Sequence, residues 1–193
     1  MGSRLIAIAS LAAFYGCYFG KMLCQKRRGI QTDQLGKGKD RFVKAVEVTM
    51  KLAAVLTVAA ELVSIVMGTG RSPAPVQIIG AVMCIVGTAV FIAAVLDMRD
   101  SWRAGVSKTD QTVLVTDGIY RFSRNPAFLG FDFLYFGILC MFWNWVLCAA
   151  TVFAVFMYHL QIVYVEEPFL FAAFGEEYLQ YQKKVCRYMG RKR

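Results

Sequence analysis

The run Val76 to Leu96, V-Q-I-I-G-A-V-M-C-I-V-G-T-A-V-F-I-A-A-V-L, holds 21 residues and no charge. A helix rises about 1.5 Å per residue, and roughly 20 apolar residues cross the hydrocarbon of a bilayer. The run therefore reads as a membrane span. Gly80, Gly87 and Ala94 recur in it at heptad spacing, a face of small side chains suited to close helix contact.

Outward from this run the pattern repeats. Leu5 to Leu23 is apolar over 19 residues apart from Lys21. No small-x-small cleavage pattern precedes Cys24, so it reads as a first span and not as a leader peptide. Leu52 to Met67 forms the core of a second span, with a start near Val43 or Val46. Glu61 lies inside it. An intramembrane carboxylate is costly, and reads as a functional group, an interior hydrogen bond or a residue near the far headgroups. Beyond a breaker-rich turn, Gly68 to Pro75, and the run already quoted, Phe128 to Phe142 and Trp145 to Val165 form a helical hairpin. Trp143, Asn144 and Trp145 mark its tip, with aromatic rings at the far interface. From Glu166 the chain turns amphipathic. Pro168 suits a first helical turn or a kink, and Tyr178, Tyr181 and Val185 fall on one face.

Composition agrees. The 193 residues are 58% hydrophobic and only 18% charged, against about a quarter charged in soluble domains. The expected fold class is all-α: an integral membrane protein of five transmembrane helices with a C-terminal cytoplasmic amphipathic helix. One membrane domain is expected over residues 1–193, with three N-terminal spans in 1–96 and a functional core in 97–193. The six cysteines are scattered without a C-x-x-C pair, so neither a disulfide framework nor a zinc site is expected.

The net charge of +9 does not point to nucleic acid, because its placement follows the chain topology. Residues 24–44, 97–127 and the tail from Glu166 carry 7, 5 and 6 of the 22 Lys and Arg residues. Five spans place all three on one side, leaving Arg4 and Arg71 on the other. The positive-inside rule then sets the N-terminus outside and the C-terminus in the cytoplasm.

Four features meet on that basic side: the segment before Gly118, the Tyr120 ring, the Arg124-Asn125-Pro126 turn and the Glu166-Glu167 pair. Arginines and free backbone N–H groups can hold a carboxylate, while carboxylates can hold an amine, a ribose or a sulfonium. Non-helical backbone at this depth is tolerated where it lines a polar cavity. The residues thus describe a site for a small zwitterionic or cationic cofactor. Plainer readings exist: Arg121 and Arg124 as topology signals, the glutamates as helix-start acids, Trp102 as an interfacial anchor in preference to a cofactor wall, and His159 as a packed residue. Asp132, an intramembrane charge, is placed to pair with Arg124 or to line an acceptor tunnel.

The pattern L-V-T-D-G-I-Y-R-F-S-R-N-P-A-F-L-G from Leu114, followed by E-E-x-x-L-x-x-x-F-G-E-E-Y-x-x-Y-x-x-x-V-x-R from Glu166, resembles the isoprenylcysteine carboxyl methyltransferase family. Phospholipid N-methyltransferases share related motifs. The resemblance covers roughly residues 97 to 190. It implies an S-adenosylmethionine site, leaving S-adenosylhomocysteine as product and closed by the C-terminal tail. By motif position, Thr112, Val113, Leu114 and Val115 would line the adenine end, and Tyr120 would pack on the cofactor. Asn125, Pro126, Ala127 and Phe128 would cradle its methionine part. Glu166 would contact cofactor or substrate, and it and Arg124 are the catalytic candidates.

The chain departs from the family at three places. Asn125 stands for a histidine of the eukaryotic enzymes, Phe128 for a tyrosine and Ile162 for an arginine that serves the substrate. Asparagine donates and accepts but does not titrate near neutral pH. The expected activity is methyl transfer to a lipid-like or prenylated small-molecule or peptide acceptor in the membrane, with carboxyl methylation the nearest analogy. Phospholipid amine and small-thiol methylation are the alternatives, and a non-enzymatic transporter or scaffold is the contrasting class. A transporter would show internal repeats, and none is visible.

Overall fold

The computed structural model of the chain describes residues 2–35, 40–70, 72–103, 105 and 113–192. Six α-helices carry the fold: α1 (Gly2–Arg27), α2 (Arg41–Met67), α3 (Ala74–Met98), α4 (Pro126–Met141), α5 (Trp145–Gln161) and α6 (Glu167–Lys184). The described residues contain no β-strand. α1, α2, α3 and the rod that begins with α5 are long and apolar enough to cross a membrane, and α4 is a shorter apolar helix beside them. The all-α membrane architecture expected from the sequence is present, with its fourth span compressed to 16 residues.

The small-residue face of α3 meets a matching face on α4. A Cβ built on Gly87 would lie 2.8 Å from the Gly130 carbonyl oxygen, and one on Gly130 would lie 2.9 Å from that of Gly87. Gly80 faces Gly137 in the same way two turns along. The two helices therefore run antiparallel, backbone against backbone. In lipid, where apolar burial gives little driving force, such close packing is what holds helices together. Phe14 of α1 completes this half, stacking on Phe91 of α3 at 4.0 Å and meeting Phe131 of α4 edge-on at 4.6 Å. Such ring pairs add about 0.5–1.5 kcal/mol each beyond their burial.

α5 lies against α2. Asn144 caps α5 by accepting the Leu147 N–H at 2.9 Å, and its amide donates to Ser64 of α2 at 2.8 Å. Thr57 of α2 donates to the Ala150 carbonyl at 3.1 Å. Trp143 and Trp145 stand exposed at this end, 5.5 Å apart, as expected of an aromatic hairpin tip. Trp102 does not follow its expectation as an interfacial anchor. It is 4% exposed and meets Tyr18 edge-on at 5.3 Å. The fully buried Gln25 draws it in, donating to the Trp102 carbonyl at 3.1 Å. A buried amide without that partner would cost more than an exposed indole gains.

α1 and α2 scarcely touch each other. The gap between them forms part of a cavity.

Candidate functional site

A cavity of about 800 Å³ runs from the basic face into the gap between α1 and α2. Its outer part is built on the stretch 114–130. Gly118 adopts φ 60° with the Asp97 carboxylate packed where a Cβ would point, so only glycine fits there. The same carboxylate accepts the Ile119 N–H at 2.8 Å, fixing the short 3₁₀ turn Gly118–Arg121 to the end of α3. The turn presents Tyr120 to the cavity, and the Tyr181 hydroxyl locks it by donating to the Tyr120 carbonyl at 2.6 Å. Tyr178, Tyr181 and Val185 bury one face of the tail against Tyr120 and Ala94, as their spacing predicts.

α4 starts at Pro126, whose missing N–H suits a first helical position. No side chain caps this helix. The N–H groups of Ala127 and Phe128 belong to its first turn, which has no intrahelical acceptors, and both residues line the cavity. Asn125 occupies the cap position, but its amide turns outward and donates to the Arg187 carbonyl at 3.0 Å. That contact is one of several binding the tail to the motif. The Arg124 N–H donates to the Cys186 carbonyl at 3.1 Å, and the Gly190 N–H to the Phe122 carbonyl at 2.8 Å.

The two adjacent glutamates are separated by the backbone. At the end of α5 the chain widens into a π turn, Ile162–Glu166, in which the Glu167 N–H reaches back five residues to the Ile162 carbonyl. Pro168 explains the widening: it has no N–H to give, and its ring would collide with the carbonyl four residues before it. The result aims Glu166 into the cavity, where it accepts from the buried Gln161 amide at 3.2 Å. Glu167 points away from the cavity and into a cationic clamp. Arg187 holds it through two bonds of 2.8 Å, and Arg124 reaches the same carboxylate at 2.9 Å. The Arg187 guanidinium is pushed further above its already high pKa by that hydrogen bond.

Arg124 is 6% exposed and also donates to the Tyr178 hydroxyl at 2.9 Å. Its charge is thus committed to Glu167 although its side chain borders the cavity, and it does not pair with Asp132. Of the residues picked out by motif, Val113, Leu114, Val115, Tyr120, Arg124, Asn125, Pro126, Ala127, Phe128 and Glu166 all line one cavity. Thr112 lies outside the described residues. Among the described residues no cluster of His, Cys, Asp or Glu could hold a metal ion.

Much of the wall lies outside the motif. Trp102, Leu170, Phe174 and Tyr181 close the outer part, while Ile8, Leu11, Ala12 and Tyr15 of α1 face Ala54, Val55, Val58 and Leu62 of α2 further in. Ile8 is 50% and Val55 60% exposed while lining the cavity, so this inner part opens sideways toward lipid. The only sequence signal for it was the apolar character of both spans.

The comparisons with known proteins fit this geometry. The chain is 30% identical over 109 residues to the protein-S-isoprenylcysteine O-methyltransferase of Tribolium castaneum, covering 55% of this chain and 39% of that protein. It is 32% identical over 109 residues to protein-S-isoprenylcysteine O-methyltransferase A of Arabidopsis thaliana, covering 55% of each. To the Homo sapiens protein-S-isoprenylcysteine O-methyltransferase it is 29% identical over 111 residues, covering 56% of this chain and 39% of that one. The chain thus spans between 39% and 55% of the length of these curated relatives. The family model described as phospholipid methyltransferase matches residues 76–177, more than half of the chain, and the protein belongs to that family.

Proposed function

We propose that this protein transfers a methyl group from S-adenosylmethionine to an amphiphilic acceptor that enters from the bilayer. One observation carries the reading: a single cavity joins the uncapped start of α4 and Glu166 to a gap open to lipid. The donor needs an anion site, a carboxylate for its cationic part and an apolar cleft for its base. The first-turn N–H groups of Ala127 and Phe128 suit the carboxylate, since a helix start attracts anions. Glu166 suits the cationic part, and Leu114, Leu170 and Phe174 offer the apolar cleft. When bound, S-adenosylmethionine supplies an electrophilic methyl group on a sulfonium.

The chain's own contribution is alignment. Holding nucleophile and methyl group in line supplies on the order of 7–11 kcal/mol in ideal systems. Tyr120 and the Asp97-bound turn fix one side of the outer chamber, and the tail covers it through Arg124, Asn125 and Arg187. Arg124 acts here by positioning Glu167 and the tail, leaving Glu166 as the carboxylate that faces the cavity. Excluding water strengthens every polar contact inside. The division expected from the sequence becomes a division of labour within one membrane domain, with the donor site in residues 97–193 and the acceptor gap between α1 and α2.

The basic face is assigned to the cytoplasm by the positive-inside rule. The relatives' names support an acceptor resembling a prenylated cysteine, whose carboxylate needs no base. Phospholipid amines and thiols are the alternatives. Calorimetry with S-adenosylmethionine on purified protein tests the donor, and its failure to bind sinks the proposal. Labelling membranes with radioactive methyl donor and sorting products by base lability tests the acceptor, because methyl esters alone are base-labile.

A further inference from the structure

One set of buried polar groups has no part in the donor site. Three tyrosine hydroxyls form a row across the middle of the bundle: Tyr15 to Tyr135 at 3.0 Å, and Tyr135 to Tyr158 at 3.1 Å. Tyr15 and Tyr158 also line the cavity. At the inner end stands Glu61, fully buried, neither oxygen having a hydrogen-bond partner. At the outer end stands Asp132, whose Oδ1 is buried and equally without a partner. Phe128, Phe131 and Tyr135 on α4 all pack on the Tyr158 ring, and Asp132 lies among them on the same helix. Tyr188 of the tail is hydrogen-bonded to His159, the neighbour of Tyr158 on α5.

The arithmetic of the row is informative. Three hydroxyls have three protons to donate, and two internal bonds use two of them. With donation running from Tyr15 toward Tyr158, the third proton is left over, and Asp132, one turn from Phe128 and Tyr135 on the α4 face that packs on Tyr158, offers an unpartnered acceptor. Glu61 is fully buried. Asp132 is half-buried and adjoins the tail, so the row discharges outward.

We propose that Tyr158 and Asp132, backed by Tyr135 and Tyr15, form a proton-exit path from the cavity to the basic face, serving an acceptor whose nucleophile arrives protonated. This rests on the methyl-transfer reading and narrows it to thiol or amine acceptors. The acceptor's proton passes to the Tyr158 oxygen as the Tyr158 proton passes to the Asp132 carboxylate. The bonding pair stays on the acceptor, and Tyr158 ends as it began. Asp132 then releases one proton past Tyr188 and His159. The charged and titratable groups around Asp132 are Tyr158 and Tyr135 from the helices and Tyr188 from the tail, with His159, Arg187 and Glu167 beyond.

The test has three parts. Calorimetry compares S-adenosylmethionine binding by wild type, Asp132→Asn and Tyr158→Phe, with equal affinities expected. No binding by wild type removes the donor reading and the path with it, whereas binding without the effects below removes the path alone. Infrared titration without cofactor should show a carboxyl band that changes with pH, is missing in Asp132→Asn and shifts in Tyr158→Phe. An unshifted band overturns the path. Finally, radioactive methyl transfer is measured to hexadecanethiol, hexadecylamine and palmitate. Transfer to thiol or amine should fall roughly 10²-fold in both variants near neutral pH, the scale of lost acid–base catalysis. Thiol methylation should recover at high pH, above the roughly 8.5 of a cysteine thiol because an alkanethiol is the weaker acid, and Asp132→Glu should retain most activity at neutral pH. Transfer to palmitate alone, or an equal loss at every pH, overturns the proposal.

Discussion

Two helix pairs in this protein solve opposite problems. α3 and α4 meet through glycine backbones with no room for a methyl group, whereas α1 and α2 stand apart and enclose part of a cavity. Both pairs are built from apolar residues of similar character. The difference lies in where the small residues fall, not in how hydrophobic the helices are. The tight pair lies within the family-matched stretch 76–177 and carries the start of α4. The loose pair lies outside it. On the proposed reading, the rigid pair suits a site that must align the donor, and the open pair suits a slot for the acceptor.

The largest effect should come from filling the tight pair. Gly87→Leu would drive a side chain into the Gly130 backbone, and overpacking costs about 1–3 kcal/mol, more where backbone must move. Size-exclusion profiles in detergent should show little folded protein. Ala54→Leu in the loose pair should leave the profile unchanged, and equal damage from both would erase the contrast. Next, Glu167→Ala strands the buried Arg124 and frees Arg187, a loss on the order of 3–5 kcal/mol for a broken buried pair. Trypsin should then cut the tail near Arg187 much faster than in wild type. Asp97→Ala removes the acceptor of the Ile119 N–H, worth about 1.5–3 kcal/mol for a charged partner. Calorimetry should register that as roughly tenfold weaker S-adenosylmethionine binding. Smallest for the fold is Val55→Trp, which narrows the gap between α1 and α2. Thermal stability and donor affinity should stay at wild-type values while methyl transfer to long-chain acceptors falls.

How much of this could be read in the sequence depends on the range of the interactions involved. Span positions follow from local apolar runs, and the face Gly80, Gly87, Ala94 announced the tight contact by its spacing alone. The tail face Tyr178, Tyr181, Val185 was legible for the same reason, since helical periodicity is local. Trp102 misled because an aromatic residue in a polar loop usually marks an interface, and its burial depends on Gln25, 77 positions earlier. The π turn was also hidden. The motif pointed to Glu166 for the site, but not to the local geometry by which Pro168 turns it toward the cavity and Glu167 toward two arginines. Asn125 illustrates the limit most clearly. It stands in the middle of the recognisable motif, yet its amide is directed to a tail carbonyl 62 residues away.

The sideways opening between α1 and α2 also determines what the protein competes with. A slot facing the bilayer interior is filled by lipid tails, which are the solvent there, so an acceptor gains entry only by displacing them. Its occupancy is governed by its mole fraction in the membrane, not by its concentration in water. Detergent chains that replace lipid on purification become rivals for the same slot. Turnover should therefore vary with the length of the detergent tail even where donor binding does not.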